Sequence, residues 1–315
     1  YIEEEYKNKI VDTKYGEVKT NAEYIYGDTD SVFFTFNLED LNGNKILGKE
    51  ALDITITLAQ EAGNSFTKNH LKNPHDLEYE KVFFPWFLMS KKRYVGMLYE
   101  MSPDECYRKS MGTVSKRRDN APIVKDIYGG IIDILMKDKN IEKAIEFLHD
   151  SLHKLKNGEV LLNKLTISKS LRSGYKNPKT IAHKVLADRI AERDPGNKPA
   201  PGDRISYAYV VHPNKKALQG ERIETPEYIR ENNLELDYNF YITNSIMKPV
   251  QQIFALILED IKAFRKKKGR TLRVWKKELE DLRLSCEGDE EKYKRKEETL
   301  RNKEVKMLLF DEFIK

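Results

Sequence analysis

Residues 23 to 36 read Glu-Tyr-Ile-Tyr-Gly-Asp-Thr-Asp-Ser-Val-Phe-Phe-Thr-Phe, two short runs of aromatic and β-branched side chains that meet around Gly27 to Asp30. Runs of this kind, broken by Gly and Asp, predict two antiparallel strands joined by a tight turn, although the turn is not Asn-Gly. Asp28 and Asp30 flank Thr29 at the tip. In extended geometry residues i and i+2 project to the same side, so both carboxylates can face one point in space. Two acids held together repel unless a cation lies between them or one is protonated. Asp is also an ordinary turn residue that bonds its own backbone, so the residues alone leave a plain turn and a Mg²⁺ site both open. A Mg²⁺ site for phosphate chemistry needs only one or two carboxylates plus the phosphates of a substrate.

Around this hairpin the pattern is α+β. Leu52, Ile56, Ala59, Ala62 and Phe66 recur at spacings of three and four, which predicts a helix over Gly48 to Leu71 packed on one face of the hairpin sheet. Leu77 to Glu100 returns to extended, aromatic-rich sequence, and beyond residue 120 the pattern is mainly helical. Two helices are expected between Ile123 and Leu155 with a break near Lys139-Asn140, and another from Thr180 to Arg193, ended by Asp194-Pro195-Gly196. Ile205 to Val211 reads as a strand, and the sequence after Tyr238 as helical. From Arg265 onward Lys, Arg and Glu dominate, so that stretch reads as a solvated helix or a partly disordered tail. The expected division is 1–122, 123–264 and a charged tail 265–315.

Charge is unevenly spread. From Lys81 to Arg118 nine Lys and Arg stand against three Asp and Glu, and from Lys164 to Arg204 ten stand against four. Each window carries +6, so a chain of net +5 holds −7 elsewhere. Basic stretches are often just solvated faces, but aromatics and turn signals inside both windows are consistent with a nucleic-acid surface. The longest apolar run, Val82 to Met89, contains Pro85 and is far short of the ~20 residues of a membrane helix, so no membrane partner is expected. Cys106 and Cys286 show no CxxC spacing, which fits neither a disulfide framework nor a four-ligand zinc site. A reducing compartment, nucleus or cytoplasm, is the expectation. The first residues, Tyr-Ile-Glu-Glu-Glu, lack an initiator Met and a signal core, and the chain reads as a piece of something longer.

Tyr26-Gly27-Asp28-Thr29-Asp30-Ser31 resembles the third conserved polymerase motif of the family B DNA polymerases, which include the eukaryotic replicative enzymes and those of many large DNA viruses. The resemblance continues in order through Lys91-Lys92-Arg93-Tyr94, Lys116-Arg117-Arg118-Asp119-Asn120-Ala121-Pro122, Pro201-Gly202-Asp203-Arg204-Ile205 and Tyr241-Ile242-Thr243-Asn244-Ser245-Ile246. It implies that the hairpin belongs to a palm whose C-terminal part is 1–122, followed by a helical thumb over 123–264. It assigns Asp30 to metal coordination and Asp28 to a supporting acidic role, with Tyr26 and Thr29 structural. Two Mg²⁺ ions would then serve the transfer of a deoxynucleoside triphosphate onto a primer–template DNA end.

The basic segments acquire roles on the same resemblance. Lys91, Lys92, Arg93 and Tyr94 read as a strand with Lys92 and Tyr94 on one face; residues alone would equally allow a guarded sheet edge. The family motif touches the primer–template duplex in its minor groove, where correct pairs present nearly the same acceptors and geometry is checked without reading sequence. Lys116, Arg117 and Arg118 are implied to approach the primer backbone, a contact that positions but carries no base information. Lys169, Arg172, Tyr175, Arg189, Arg193 and Arg204 resemble the thumb that closes over the duplex. His183 has no second His or Cys at metal spacing and is as readily a packing residue.

The family also requires an earlier Asp-x-x-Ser-Leu-Tyr-Pro and a fingers helix with Lys-x-x-x-Asn-Ser-x-Tyr-Gly, and neither string occurs here. The second metal-binding Asp is therefore expected from an N-terminal polymerase portion, in the same gene or a split partner, and the isolated chain is not expected to polymerise. The terminal cysteine clusters of the eukaryotic members are missing too, which fits a viral relative. One alternative is a non-catalytic, sequence-independent DNA-binding module. Another is a nucleotide-sugar transferase, which also uses Asp-x-Asp with a divalent metal but gives no reason for the Lys-Lys-Arg-Tyr and Pro-Gly-Asp-Arg-Ile segments.

Overall fold

Two antiparallel strands, β1 (Lys7–Thr13) and β2 (Gly16–Asn21), precede the expected hairpin of β3 (Glu23–Asp28) and β4 (Ser31–Thr35). The structure, a computed structural model, describes residues 1–114, 119–214 and 216–314 and falls into two units, Tyr1–Gly112 and Thr113–Lys315. Both mix helix and sheet.

In the first unit the helix Gly48–His70 matches the expected span and buries Leu52, Ile54, Ile56, Leu58 and Ala62. Ile54, Leu58 and Ala62 meet Tyr6, Val18, Phe36 and Leu38, so the helix packs on β2 and the segment after β4, with β4 contributing Phe34. Three more strands, β5 (Val82–Ser90), β6 (Arg93–Tyr99) and β7 (Tyr107–Met111), form an antiparallel sheet in that order. Tyr26 and Phe33 of the β3–β4 hairpin pack against Phe83, Trp86 and Tyr94 of this sheet; Phe33 and Trp86 stack at 5.2 Å and 8°. Gly96 leaves the room for this cluster, because a Cβ there would sit 2.9 Å from both the Phe83 ring and the Pro85 carbonyl oxygen.

The second unit is built on two helices, Pro122–Asp133 and Ile141–Lys156. Ile127, Ile131, Ala144, Ile145, Leu148 and Leu152 are buried at helical spacing. The expected break is real: a wide π turn spans Ile134–Asp138, Lys139 takes φ +50°, and the Asn140 side chain caps the second helix by accepting from the Lys143 N–H at 2.9 Å. A three-stranded sheet of β8 (Ile167–Ser170), β9 (Arg204–Tyr209) and β10 (Ile223–Glu224), with β9 central, adds more sheet than expected. The helix Ala182–Arg193 precedes β9 in sequence.

The stretch after Arg265, expected to be solvated or partly disordered, forms helices Leu272–Leu284 and Glu290–Leu309 with a buried seam of Trp275, Val305, Leu308, Leu309 and Phe310. Arg265 and Glu304 are themselves buried, paired at 2.6 Å, and Arg270 also reaches Glu304 at 2.7 Å. The charge density that suggests solvent exposure is thus partly spent inside. Among the described residues no helix is long and apolar enough to cross a membrane.

Candidate functional site

The β3–β4 turn is tighter than an extended Asp-x-Asp. Asp28 ends β3 opposite Ser31, leaving Thr29 and Asp30 as the two loop residues, and Thr29 takes φ +54°. The same-side argument for an extended i, i+2 pair therefore does not apply at this tip; the turn itself sets the two carboxylates. Ser31 Oγ donates to the Asp28 carbonyl at 3.0 Å, closing the turn. Asp30 is exposed and borders a cavity of about 930 Å³ within the first unit, lined also by Val32, Phe33, Lys81 and Trp86.

Lys91 and Lys92 do not continue a strand. They form the two-residue turn between β5 and β6, where Ser90 pairs with Arg93 and Lys92 adopts φ +60°. The alternation expected across Lys91 to Tyr94 therefore starts only at Arg93. The turn has a definite seat: the Lys92 N–H donates to the Tyr26 hydroxyl at 2.9 Å, and the Lys92 ammonium donates to Asp28 Oδ1 at 2.5 Å. The aromatic cluster explains the register, since Tyr94 packs under Tyr26 and brings the turn over the tip of β3–β4.

Electrostatics follow from that contact. The hydrogen bond from Lys92 holds the Asp28 carboxyl below the ordinary carboxylate range, with Thr29 and Lys91 adding to it. Asp28 in turn raises Lys92 above the usual lysine value, reinforced by Asp30. Tyr94 is raised chiefly by burial. Two carboxylates on one turn, one of them exposed, are hard oxygen donors of the kind Mg²⁺ takes when a substrate supplies phosphate oxygens. Among the described residues no group of three or more His, Cys, Asp or Glu is assembled, so these two would be this chain's share of such a site.

The remaining sequence-derived candidates lie in the second unit or at its edge. Lys116, Arg117 and Arg118 lie outside the described residues. Lys169 is half-buried on β8 opposite Ile205. Arg204 spans the sheet edge, donating from Nε to Ser168 Oγ at 3.0 Å and from Nη2 to the Ser168 carbonyl at 2.7 Å. Tyr175 accepts the Arg172 N–H at 2.8 Å and meets His183 Nε2 at 3.0 Å, so His183 is a packing residue, lowered by its burial and by nearby Lys169. Arg189 and Arg193 are consumed internally: Arg193 makes a bidentate pair with Glu224 and lies 3.7 Å over the Tyr228 ring, while Arg189 bonds Gly220, Ile223 and Glu224. Sequence reasoning misses the Lys92–Asp28 bond and the Tyr26 hydroxyl beneath it; the signal available was two motifs each rich in aromatics next to charge.

The family description DNA polymerase family B matches residues 1–257. Over 306 residues, 96% of this chain and 24% of the relative, the sequence is 49% identical to a DNA polymerase of Pyramimonas orientalis virus. It is 48% identical over 250 residues to a DNA polymerase of Acanthamoeba polyphaga mimivirus, covering 77% of this chain and 14% of that one. It is 34% identical over 260 residues to the DNA polymerase delta catalytic subunit of Glycine max, covering 81% and 23%. The chain thus spans about a quarter or less of the length of these relatives. In fold it is similar to the family B DNA polymerase of Pyrobaculum calidifontis, with a TM-score of 0.52 at 20% identity over 74% of this chain and 26% of that one. With a family match over most of its length and the Asp-Thr-Asp turn in place, the chain belongs to DNA polymerase family B.

Proposed function

We propose that this chain is the C-terminal portion of a DNA-directed DNA polymerase, contributing the palm hairpin that holds metal and a helical thumb that grips duplex DNA. On this reading residues 1–122 complete the palm, 123–264 form the thumb and 265–315 follow it. The observation that carries it is the exposed Asp30 on a tight turn whose neighbour Asp28 is bonded to Lys92 of the Lys-Lys-Arg-Tyr segment. That contact supports reading the two segments as parts of one site.

Within this scheme Asp30 is the metal ligand, and Asp28 supports it while orienting Lys92. Mg²⁺, when bound, supplies charge stabilisation for in-line attack of a primer hydroxyl on the incoming nucleotide. Lys91, Lys92, Arg93 and Tyr94 hold the end of the primer–template duplex, and Lys116, Arg117, Arg118, Lys169, Tyr175 and Arg204 extend the grip. The second metal-binding Asp and the nucleotide-gripping helix come from an N-terminal portion. A reducing compartment of the host, nucleus or cytoplasm, completes the reading.

The test combines this chain with a polypeptide carrying the two missing motifs and measures template-dependent incorporation of deoxynucleotides. Incorporation is expected, and Asp30→Ala should abolish it while leaving the fold intact, because Asp30 is exposed. Incorporation that survives Asp30→Ala removes the ligand role. Salt-sensitive duplex binding without incorporation under any complementation would favour the non-catalytic DNA-binding module instead.

A further inference from the structure

A second pocket, about 360 Å³, lies wholly within the second unit. Ile167 and Lys169 line it from the same face of β8, as Tyr207 and Tyr209 do from β9, because residues two apart on a strand share a side. Lys248, in the first turn of the helix Met247–Leu256, approaches from the other wall together with Asn244, Ser245 and Pro249. Pro249 has no N–H to give the Ser245 carbonyl, and the wide π turn Tyr241–Ile246 precedes it. That irregular turn presents Asn244 and Ser245 at the pocket instead of burying them in a regular helix face. Asn120 completes the rim.

The chemistry of this rim is cationic and donor-rich. Neither Lys169 nor Lys248 has a carboxylate partner among the described residues, whereas Arg189, Arg193 and Arg222 in the same unit are all paired. Asp119 also lines the pocket, so among the described residues the two ammonium groups leave one positive charge in excess. An ammonium is a point charge without the planar fork that fixes a guanidinium on one oxyanion geometry. A phosphate held by two such groups and two amides is gripped without a set orientation, which suits a strand backbone that must slide through.

We propose that this pocket seats a backbone phosphodiester of the bound duplex, with Lys169 and Lys248 as its cationic contacts and Asn120 and Asn244 as hydrogen-bond donors. The assignment rests on the duplex-binding reading above and adds Lys248, Asn120 and Asn244 to it.

Binding of a fluorescent primer–template duplex by the full chain, followed by anisotropy across a salt series, tests it. Lys248→Gln should weaken binding about five- to tenfold at ~0.1 M salt, for every duplex sequence, and flatten the logarithmic salt dependence by about one unit. Lys248→Arg should restore both. A duplex with a single uncharged methylphosphonate linkage at the seated position should cost the wild-type chain the same factor and cost Lys248→Gln nothing further. Unchanged affinity and slope in Lys248→Gln overturn the seat while leaving the polymerase reading standing. A loss of affinity for free deoxynucleoside triphosphate with duplex binding intact overturns it in favour of a polyphosphate site. Absence of salt-sensitive duplex binding by the wild-type chain overturns the duplex-binding reading itself and this seat with it.

Discussion

The Lys92 ammonium donates to Asp28 Oδ1 at 2.5 Å, joining the tips of two hairpins that lie 64 residues apart in the sequence. The same lysine's N–H is bound by Tyr26, so backbone and side chain of one residue are both anchored to the β3–β4 hairpin. A carboxylate proposed to stand beside a metal is thereby tied to a turn proposed to touch DNA.

Removing that tie should be visible in the titration of Asp28. In Lys92→Met the Asp28 carboxyl should titrate at higher pH than in the wild type, nearer a free carboxylate, as read from its carboxyl ¹³C shift. The sign for stability is then fixed. A carboxyl depressed in the folded state stabilises above its unfolded pKa, and that contribution fades as pH falls through the folded value. Identical titration curves in the two proteins would show that the pair is not formed in solution.

The seat of the Lys92 turn should also be sensitive to its supports. Tyr26→Phe deletes the hydroxyl that accepts the Lys92 N–H and should cost about 1 kcal/mol in a urea titration. Gly112→Ala should cost more, about 2 kcal/mol or above. Gly112 takes φ +59°, and a Cβ there would lie 2.3 Å from the Lys92 carbonyl oxygen, a backbone atom that cannot step aside without moving the turn. A Gly112→Ala chain as stable as wild type would contradict that packing.

Lys169 and Arg193 should separate in duplex binding although both lie in the same basic window. Lys169→Gln should lower the salt dependence by about one unit. Arg193→Ala should leave it unchanged and instead destabilise the chain by about 1–3 kcal/mol, because its guanidinium is committed to Glu224 and the Tyr228 ring. A salt-slope change in Arg193→Ala would return it to the DNA surface.

The buried Arg265–Glu304 pair gives a fourth test. Glu304→Ala strands the Arg265 guanidinium in the interior and should cost about 3–5 kcal/mol in chemical denaturation. Replacing Arg265 and Glu304 together with Met should recover part of that loss, since the buried charge is removed with its partner while Arg270, which also loses Glu304, keeps Glu278. A double variant less stable than Glu304→Ala would locate the cost in packing.

Much of the architecture was legible because it rests on local rules. The Gly27–Asp30 break, the helix from Gly48 and the interruption at Lys139-Asn140 follow from turn residues, three-four spacing and an Asn cap, each written within a few positions. The Lys91–Lys92 turn was not legible: neither residue is a turn former, Lys92 takes the left-handed φ of a two-residue hairpin turn, and its N–H is bound by Tyr26, far away in sequence. The buried charges after Arg265 were hidden for a similar reason, since Glu304 looks solvated until Arg265 and Arg270 are brought to it. Val305, Leu308 and Leu309 at three-four spacing were the one visible sign of a packed seam there. At the site itself Asp28, Asp30 and Lys92 were each nominated from motif strings, while their mutual geometry belongs to tertiary packing.

The left-handed conformation of Lys92 has a further consequence. An L-residue with a side chain gives up about 1–2 kcal/mol to stand there, whereas an exposed, solvent-screened ion pair such as the one it makes returns little. The pair does not repay the cost, so a glycine would hold the turn at least as well. Thermodynamic upkeep of the fold therefore gives no reason for an ammonium at this position; on the proposed reading its worth lies in what the turn meets and not in what it supports.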